Sequence, residues 1–364
     1  MIAWKDKKEF WIAGAKIADP EGGKVRTGCL LVRKGEIAEI AWQKSVTTDL
    51  PVLDVAGMLL APGFIDIHTH LREPGNEEKE TIATGTAAAA AGGFTAVCCM
   101  ANTEPVVDDP SVVEFIIRRA EEAGNCRVYP IAATTKGLGG EIISEYRLLQ
   151  KAGAVALSDD GVWVRNGRTM RTALEYAGMF GMPVISHCEE HSLTANAQMH
   201  EGFQSTRLGL KGWPAAAEEI AVDRDVRLAA LTGSRLHLAH LSTAESIKIL
   251  ERAKKAGVPV TAEVTPHHLT MDHTLLETYD RNLKVNPPLR SEKDVAALRK
   301  ALRSGTIDCI ATDHAPHTDI DKQVEFNFAP PGRPRVSAGP RVMRRTRSTS
   351  SRSPERTSSV CRCA

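Results

Sequence analysis

The sequence GFIDIHTHLREPG, residues 63–75, combines a short apolar run with two histidines spaced two positions apart. Its first half is typical of a β-strand, in which residues i and i+2 project to the same face. His68 and His70 would therefore present two imidazoles side by side, which is half or more of a metal site. The alternative is a strand that ends in two polar residues, one of which caps a turn. The remainder of the chain has to distinguish the two.

The 364 residues suffice for one large domain, or for one large and one small. With 42% hydrophobic and 25% charged residues, the composition is that of an ordinary globular protein. The first ten residues, MIAWKDKKEF, are too charged for a secretory signal, and no apolar run approaches a membrane span. Eight scattered cysteines without CxxC pairs favour reduced thiols. We therefore predict a cytoplasmic protein with no membrane partner.

The last segment, residues 333–364, differs sharply in composition from the rest. It holds nine arginines, no lysine and one acidic residue, so its net charge is +8 against −7 for residues 1–332. Without periodic apolar residues it is expected to be disordered. A nucleic-acid-binding arm is the functional alternative. The abrupt change after Gly332 instead favours translation in a shifted reading frame or a mis-assembled gene end, with no nucleic-acid partner.

Before residue 61 the chain alternates apolar and polar stretches with turn residues between them, as in FWIAGAKIAD and GCLLVRKGEIAEIAW. This pattern is typical of short antiparallel strands. We predict that residues 1–60 contribute a small β-sandwich or sheet.

From residue 61 to 332, apolar strands alternate with amphipathic helices, which predicts a parallel sheet covered on both faces. The predicted helices cover residues 79–91, 110–123, 141–151, 167–179, 214–232, 243–256 and 291–304. The most economical fold is an α/β protein with a (β/α)8 barrel of the TIM type. About seven convincing strands precede residue 313, and the Arg-rich tail stands where an eighth unit should follow. We therefore expect a barrel that is incomplete at its C-terminal end.

Polar side chains follow the C-terminal ends of the predicted strands, where TIM barrels hold their chemistry. In chain order they are His68, His70, Asn102, Asp159, Asp160, His187, His240, His267, His268, Asp313, His314 and His317. Taken singly, such a histidine is more often a satisfied structural residue, and such an aspartate is usually a helix cap. Independent structural roles would not all select the same end of successive strands. The joint pattern predicts a metal site.

The residue types indicate the chemistry of that site. Imidazole and carboxylate ligands suit Zn²⁺ and its neighbours. One catalytic zinc takes three protein ligands, so four histidines and two aspartates suggest two ions bridged by a carboxylate. Such a centre lowers the pKa of water and polarises a carbonyl group. We predict a hydrolase, or its reverse, acting on an amide-like bond.

Eight motifs occur in order between residues 61 and 332: PGFIDIHTHLREPG, GGFTAVCCMANTEP, ALSDDG, ISHCEE, HLAHLST, AEVTPHHL, KVNPPLR and IATDHAPH. Together they resemble the amidohydrolase superfamily and, within it, the bacterial dihydroorotases of the longer, barrel-plus-sandwich type. The resemblance implies one or two Zn²⁺ ions held by His68, His70, Asp160, His187, His240 and Asp313. Asp160 is preferred because the second Asp of DDG bridges the metals in the family, although Asp159 stays open as the ligand or as a turn residue.

The resemblance also implies contacts with the substrate. Dihydroorotate is a six-membered cyclic ureide with one carboxylate, which a planar guanidinium matches bidentately. Arg72, two residues beyond His70, would bind that carboxylate with the help of Asn102 and His317. The local sequence MANT departs from the commoner MPNT but keeps Asn102.

Further roles follow from the same resemblance. Asn286 would hold the ring, although it precedes Pro287 and could merely shape a turn. Asp313 would take the proton of the attacking water and deliver it to the leaving ring nitrogen. His267 and His268 would orient other groups of the site.

Three functions stay open from the sequence. The first interconverts (S)-dihydroorotate and N-carbamoyl-L-aspartate in de novo pyrimidine biosynthesis. The second is a dihydropyrimidinase, hydantoinase or allantoinase, which Arg72 and the absence of a bridging lysine disfavour. The third is a non-catalytic dihydroorotase-like subunit, which the complete ligand set disfavours. The resemblance implies a homodimer or an association with aspartate transcarbamoylase, and a missing barrel unit would make the chain unstable or aggregation-prone.

Overall fold

The computed structural model describes residues 7–19 and 22–334, which divide into two compact units. The described residues up to Gly63 form the first unit, and those from Phe64 form the second. Residues 335–364 lie outside the described ranges, and so does nearly all of the tail for which the sequence predicts disorder. None of the helices in those ranges combines the length and apolar character that a bilayer span requires.

The first unit is a small sheet. Its strands are β1 (Glu9–Asp19), β2 (Lys24–Arg33), β3 (Glu36–Ala41), β4 (Val52–Asp54) and β5 (Leu59–Leu60). β1, β2 and β3 are antiparallel as predicted, whereas β4 and β5 run parallel to β1. Residues of β1 supply two apolar clusters, one around Trp11 and Cys29 and one around Ala15 and Ile17. The described residues of this unit form one sheet rather than the two of a sandwich.

The second unit is built on a parallel sheet. Its strands are β6 (Phe64–Thr69), β7 (Phe94–Cys99), β8 (Arg127–Ala132), β9 (Ala156–Ser158), β10 (Val184–Ser186), β11 (Met199–His200), β12 (Gly212–Trp213), β13 (Leu236–Leu238), β14 (Val260–Val264), β15 (Cys309–Ile310), β16 (Pro316–His317) and β17 (Arg333–Pro334). Eight of them, β6 to β10 and β13 to β15, are neighbours in chain order and all parallel. This is the strand order of a TIM barrel.

The two edges of this sheet meet between β6 and the segment after β15. Thr69 forms a parallel bridge with His314, and the backbone N–H of His70 donates to His314 O at 2.8 Å. The predicted (β/α)8 barrel is therefore confirmed, as eight parallel strands in a nearly closed sheet. Its eighth strand is the two-residue Cys309–Ile310, shortly before the predicted ligand Asp313. The helix that follows it is also short, since residues 311–334 contain a single four-residue α-helix.

Helices cover the outside of the barrel and interrupt its loops. They are α1 (Ile82–Ala91), α2 (Pro110–Ala123), α3 (Tyr146–Ala152), α4 (Gly167–Met179), α5 (His191–Thr194), α6 (Phe203–Leu208), α7 (Ala216–Thr232), α8 (Ala244–Lys255), α9 (Pro266–Thr270), α10 (Glu292–Ser304) and α11 (Asp319–Lys322). The seven predicted helices are α1 to α4, α7, α8 and α10. The helices α2 and α4 begin at their predicted residues, and each follows a side-chain cap, Asp109 for α2 and Asn166 for α4. The four short helices lack a full apolar period and were not predicted.

The packing of α4 against the barrel yields a stability test. Leu174 is fully buried in the main apolar cluster, so Leu174→Ala leaves a cavity and should lower the free energy of unfolding by about 2–5 kcal/mol. Urea denaturation followed by circular dichroism measures this change. Met179→Ala, on the same helix at a position 74% exposed, should change it by less than about 0.5 kcal/mol. Equal losses in the two variants would contradict this packing.

Candidate metal centre

Six side chains that the sequence selects as ligands come together at one rim of the barrel. His68 lies in β6 and His70 directly after it, whereas Asp160 follows β9 and His187 follows β10. The remaining two, His240 and Asp313, follow β13 and β15. Because the C-terminal ends of parallel barrel strands meet at the same face, residues far apart in the chain become neighbours there.

The carboxylate of Asp160 lies among the four imidazoles. Its Oδ1 is 3.4 Å from His68 Nε2, 3.5 Å from His187 Nδ1 and 3.7 Å from His240 Nε2. Its Oδ2 is 3.4 Å from His70 Nε2. A single carboxylate therefore faces all four histidines, as a group bridging two metal ions would.

Asp313 also faces two of these histidines. Its Oδ1 lies 3.0 Å from His70 Nε2 and 3.4 Å from His68 Nε2. Ligand atoms of His68, His70 and Asp313 lie within 4.8 Å of one another, and so do those of His68, Asp160 and His240. The two groups share His68, so the donors are arranged as adjoining clusters.

The donor atoms fit a metal ion. His68 Nε2 and Asp160 Oδ1 are fully buried and have no hydrogen-bond partner, which is costly unless a ligand satisfies them. Donors about 2.0–2.1 Å from a tetrahedral zinc would be roughly 3.3 Å apart, close to the separations of 3.4 and 3.5 Å between these side chains. His68, His70 and His187 each donate their other N–H to an oxygen acceptor. In the neutral form of each ring, the inward nitrogen would then carry the lone pair that ligation requires.

Asp159 points away from the imidazoles. Its carboxylate accepts hydrogen bonds from the backbone N–H of Thr135 at 2.9 Å and from the Thr135 hydroxyl. Burial raises the pKa of Asp159 to about 6 despite these bonds. The geometry therefore favours Asp160 over Asp159 as the ligand.

The charges of the centre also suit a cation. Burial alone would raise the pKa of Asp160 and Asp313, but the facing imidazoles, above all His68, hold both pKa values well below their ordinary range. Burial alone would lower the pKa of His68, yet the facing carboxylates, led by Glu263, raise it well above its ordinary value. The carboxylates and imidazoles of the centre therefore favour each other's charged forms. A divalent cation would take the place of the protons on the imidazoles.

Three residues of the site have left-handed backbone conformations. The φ angles are +62° at Arg72, +32° at His240 and +48° at Asp313. Side chains other than glycine rarely adopt such angles, and they persist where the surrounding structure enforces them. The backbone is therefore strained at two predicted ligands and at the predicted substrate arginine.

Sequence reasoning missed Glu263, which lies inside β14. Its Oε1 accepts from His68 Nδ1 at 2.6 Å and from the backbone N–H of His240 at 3.2 Å, and its Oε2 accepts from His237 Nε2 at 3.2 Å. One buried carboxylate thus orients one ligand side chain and the strained backbone of another. The available signal was a charge inside the apolar strand PVTAEV, because a buried carboxylate must be paired.

Glu189 was also missed, although the motif ISHCEE contains it. Its Oε2 accepts from His187 Nε2 at 3.0 Å and from Asn286 Nδ2 at 3.2 Å, and its Oε1 accepts from the Thr194 hydroxyl at 2.5 Å. Burial opposes ionisation, but His187 lowers the pKa of Glu189 to about 2. Glu189 therefore connects a predicted ligand to a predicted ring contact.

The predicted substrate residues lie on different loops around the rim. Asn102 Oδ1 accepts from His70 Nδ1 at 2.9 Å, and Asn286 contacts Glu189 as described. Arg72 Nε donates to the carbonyl of Pro316 at 3.2 Å, next to His317. Burial, helped by the charge of Arg72, lowers the pKa of His317 to about 4, so this imidazole is neutral at pH 7. Its Nε2 donates to Pro331 O at 2.7 Å.

His267 and His268 lie in α9, beyond the ligands, with ring centroids 4.5 Å apart. His268 Nδ1 accepts from the Thr265 hydroxyl at 2.8 Å, and Nε2 donates to Pro287 O at 3.0 Å. His268 therefore holds the loop that carries Asn286 rather than a ligand side chain.

The barrel and its rim place the protein among the amidohydrolases. A model of the family described as Dihydro-orotase-like matches residues 57–246. The dihydroorotase of Pelotomaculum thermopropionicum is 53% identical over 321 residues, which cover 88% of this chain and 75% of that protein. The dihydroorotase of Anaeromyxobacter dehalogenans is 50% identical over 325 residues, 89% of this chain and 75% of that protein. The chain therefore belongs to the dihydroorotase family.

Solved structures share the architecture at lower sequence identity. The L-hydantoinase (dihydropyrimidinase) from Arthrobacter aurescens has a TM-score of 0.76 at 20% identity, covering 90% of this chain and 74% of that one. The D-hydantoinase (dihydropyrimidinase) from Thermus sp. has a TM-score of 0.72 at 25% identity with the same coverage. These two similarities show a shared barrel fold and nothing about the reaction.

The position of Glu263 leads to a prediction about metal affinity. Glu263→Gln keeps the size of the side chain but cannot accept through both oxygens, so His68 and His240 should be less firmly oriented. Metal affinity should fall about 10–100-fold, as measured by chelator competition on the purified protein. Glu175→Gln removes a carboxylate from a surface ion pair with Arg171 and should leave metal affinity unchanged. Unchanged affinity in the folded Glu263 variant would contradict the role of Glu263.

Proposed function

We propose that this chain catalyses the reversible hydrolysis of (S)-dihydroorotate to N-carbamoyl-L-aspartate, a step of pyrimidine biosynthesis. The observation that carries the proposal is the position of Asp313, whose Oδ1 lies 3.0 Å from His70 Nε2 at the rim of the barrel. A carboxylate beside the donor cluster is placed to move a proton to and from the reacting atoms. The relatives named above, which are dihydroorotases, support the choice of substrate.

Asp313 acts as the proton carrier in this scheme. In hydrolysis it accepts a proton from the attacking water, whose oxygen bonds to the ring carbonyl carbon. The bond between that carbon and the ring nitrogen breaks, and Asp313 delivers the proton to the nitrogen. In the reverse direction Asp313 accepts the proton of the ureido nitrogen, and that nitrogen bonds to the carboxyl carbon. Asp313 then returns the proton to the hydroxyl group on that carbon, which leaves as water. The Asp313 side chain is only 14% exposed beside His68 and His70, which limits the access of bulk water to this proton.

Other side chains orient the ring. Arg72 binds the ring carboxylate through its guanidinium, and the neutral imidazole of His317 and the amide of Asn102 assist it. Asn286 holds the ring from the loop that Glu189 and His268 support. The bound ring is thereby presented to Asp313 in one orientation, which is what an enzyme gains from positioning.

The metal that we propose for the centre is zinc, as one or two ions held by the four histidines and two aspartates named above. Imidazole and carboxylate donors without thiolate support this choice. When bound, zinc supplies a Lewis acid that acidifies water and polarises the carbonyl. Elemental analysis of the purified protein identifies the metal and counts the ions per chain.

The proposal extends to assembly, where the family resemblance supports a homodimer or an association with aspartate transcarbamoylase. Light scattering after size-exclusion chromatography, with and without that enzyme, tests both arrangements.

Replacing the proton carrier should separate chemistry from metal binding. Asp313→Asn should lower kcat for dihydroorotate by at least about 10²–10⁴-fold, because an amide cannot carry the proton. Metal content at saturating zinc should stay largely unchanged, although the affinity for zinc should fall because Asp313 is one of the donors. A spectrophotometric assay measures the rate, and elemental analysis measures the metal. Asp159→Asn, at the neighbouring carboxylate that faces Thr135, is the control that should retain most of the activity. Near-normal turnover in the Asp313 variant would refute the assigned role.

The substrate carboxylate should depend on Arg72. Arg72→Gln should raise KM for dihydroorotate about 10–100-fold, because charged hydrogen bonds contribute about 1.5–3 kcal/mol. Dihydrouracil, which lacks the ring carboxylate, should be a poor substrate of both proteins and should not discriminate between them. Comparing kcat/KM for the two compounds measures this effect. A preference of the wild-type chain for dihydrouracil would favour the dihydropyrimidinase alternative.

A further inference from the structure

Asp66, in β6, is a buried carboxylate for which the proposed reaction has no role. The residue is 3% exposed. Its Oδ1 accepts from the backbone N–H of His68 at 3.3 Å and from that of Thr312 at 3.1 Å. Its Oδ2 accepts from the Thr312 hydroxyl at 2.5 Å. These bonds join the first strand of the barrel to the segment after the last.

The same segment is fixed on the other side of Asp313. The backbone N–H of His70 donates to His314 O at 2.8 Å, and the N–H of His314 donates to the Thr312 hydroxyl at 3.1 Å. Both chain neighbours of Asp313 are thus held, directly or through Asp66, by the strand that carries His68 and His70. Asp313 lies between these anchors with its φ angle of +48°.

Backbone pairing alone does not provide this attachment. β15 ends at Ile310 and pairs with β14, and within the described ranges only the bridge between Thr69 and His314 pairs the two sheet edges. The hydrogen bonds of Asp66 lie where further ladder bonds would lie if β15 were longer. A side chain therefore performs part of the closure of the barrel, at the point where the last strand passes into Asp313.

We infer that Asp66 is a positioning residue for Asp313. Through Thr312 it sets the distances of 3.0 and 3.4 Å between Asp313 Oδ1 and the inward nitrogens of His70 and His68. This inference rests on the proposed function of Asp313 as proton carrier and ligand. It concerns the placement of a reacting group and not the stability of the barrel in general.

Two substitutions test whether Asp66 and Thr312 together position Asp313. Thr312→Val preserves the shape of the side chain and removes the hydroxyl, and Asp66→Asn preserves one acceptor oxygen. Each should lower kcat about 10–100-fold with KM little changed, because the ring contacts are intact while the proton carrier is displaced. Zinc affinity, measured by chelator competition without substrate, should fall in the same range because Asp313 is one of the donors.

The control is a second carboxylate, at the opposite end of β15. Asp308, just before β15, accepts from the backbone N–H of Ala262 at 2.8 Å and from Lys254 Nζ at 2.7 Å. Asp308→Asn should lower the urea midpoint but leave kcat and zinc affinity unchanged, since it acts at the strand end away from the site. The milder Thr312 variant decides the test if Asp66→Asn does not fold.

The outcomes distinguish the positioning of Asp313 by Asp66 and Thr312 from the proposed hydrolysis of dihydroorotate. Losses of kcat and zinc affinity in the folded Thr312 variant, no larger in the double variant than in the more affected single one, support positioning by the pair. Three results would overturn it. The first is additive losses in the double variant, and the second is normal kcat and zinc affinity in Thr312→Val. The third is a loss of kcat and zinc affinity in Asp308→Asn as well, in proportion to its lower urea midpoint. If the wild-type chain binds zinc but does not turn over dihydroorotate, the proposed function fails, and the zinc affinities still test the placement of Asp313.

Discussion

The burial of an ionised Asp160 among four imidazoles is the interaction on which the site depends. A carboxylate taken out of water is destabilising by several kcal/mol unless charges and hydrogen bonds compensate it. Here the compensation comes from His68, His70, His187 and His240, at 3.4 to 3.7 Å. The buried carboxylate is stable only if positive charge lies beside it, supplied either by protonated imidazoles or by a metal ion. The fit of the donors to a metal follows from this requirement.

Three of these imidazoles are in turn oriented by hydrogen bonds from their outward nitrogens. Glu263, Glu189 and the amide of Asn102 accept from the outward nitrogens of His68, His187 and His70. Each contact orients its ring and favours, in the neutral imidazole, the tautomer whose inward nitrogen could bind a metal. Glu189 also reaches Asn286, so the set of groups around the metal continues into the loop proposed to hold the substrate ring.

Strain is concentrated at the same rim. Left-handed conformations at His240 and Asp313 are destabilising by about 1–3 kcal/mol each and must be enforced by their surroundings. For His240 the enforcing contact is the bond from its N–H to Glu263. For Asp313 it is the attachment of residues 312 and 314 to β6. The barrel shared with hydantoinases provides the frame, and these rim contacts adapt it to one set of reacting groups.

Much of the architecture could be read from local pattern. The alternation of apolar strands and amphipathic helices is enough for the barrel, and caps such as Asp109 and Asn166 mark where α2 and α4 begin. The spacing of His68 and His70 in a strand is enough for two converging imidazoles. These features depend on residues within one turn of helix or one strand, so the sequence by itself determined them.

Tertiary structure alone decided which polar groups became partners. The choice of Asp160 over Asp159 depends on Thr135, and the role of Glu263 depends on His68, 195 positions away in the chain. The closure of the barrel by Asp66 and Thr312 joins residues separated by 246 positions. Local pattern shows that a buried carboxylate needs a partner but not which one. Only the folding of the strands into a closed barrel brings those partners within hydrogen-bond distance.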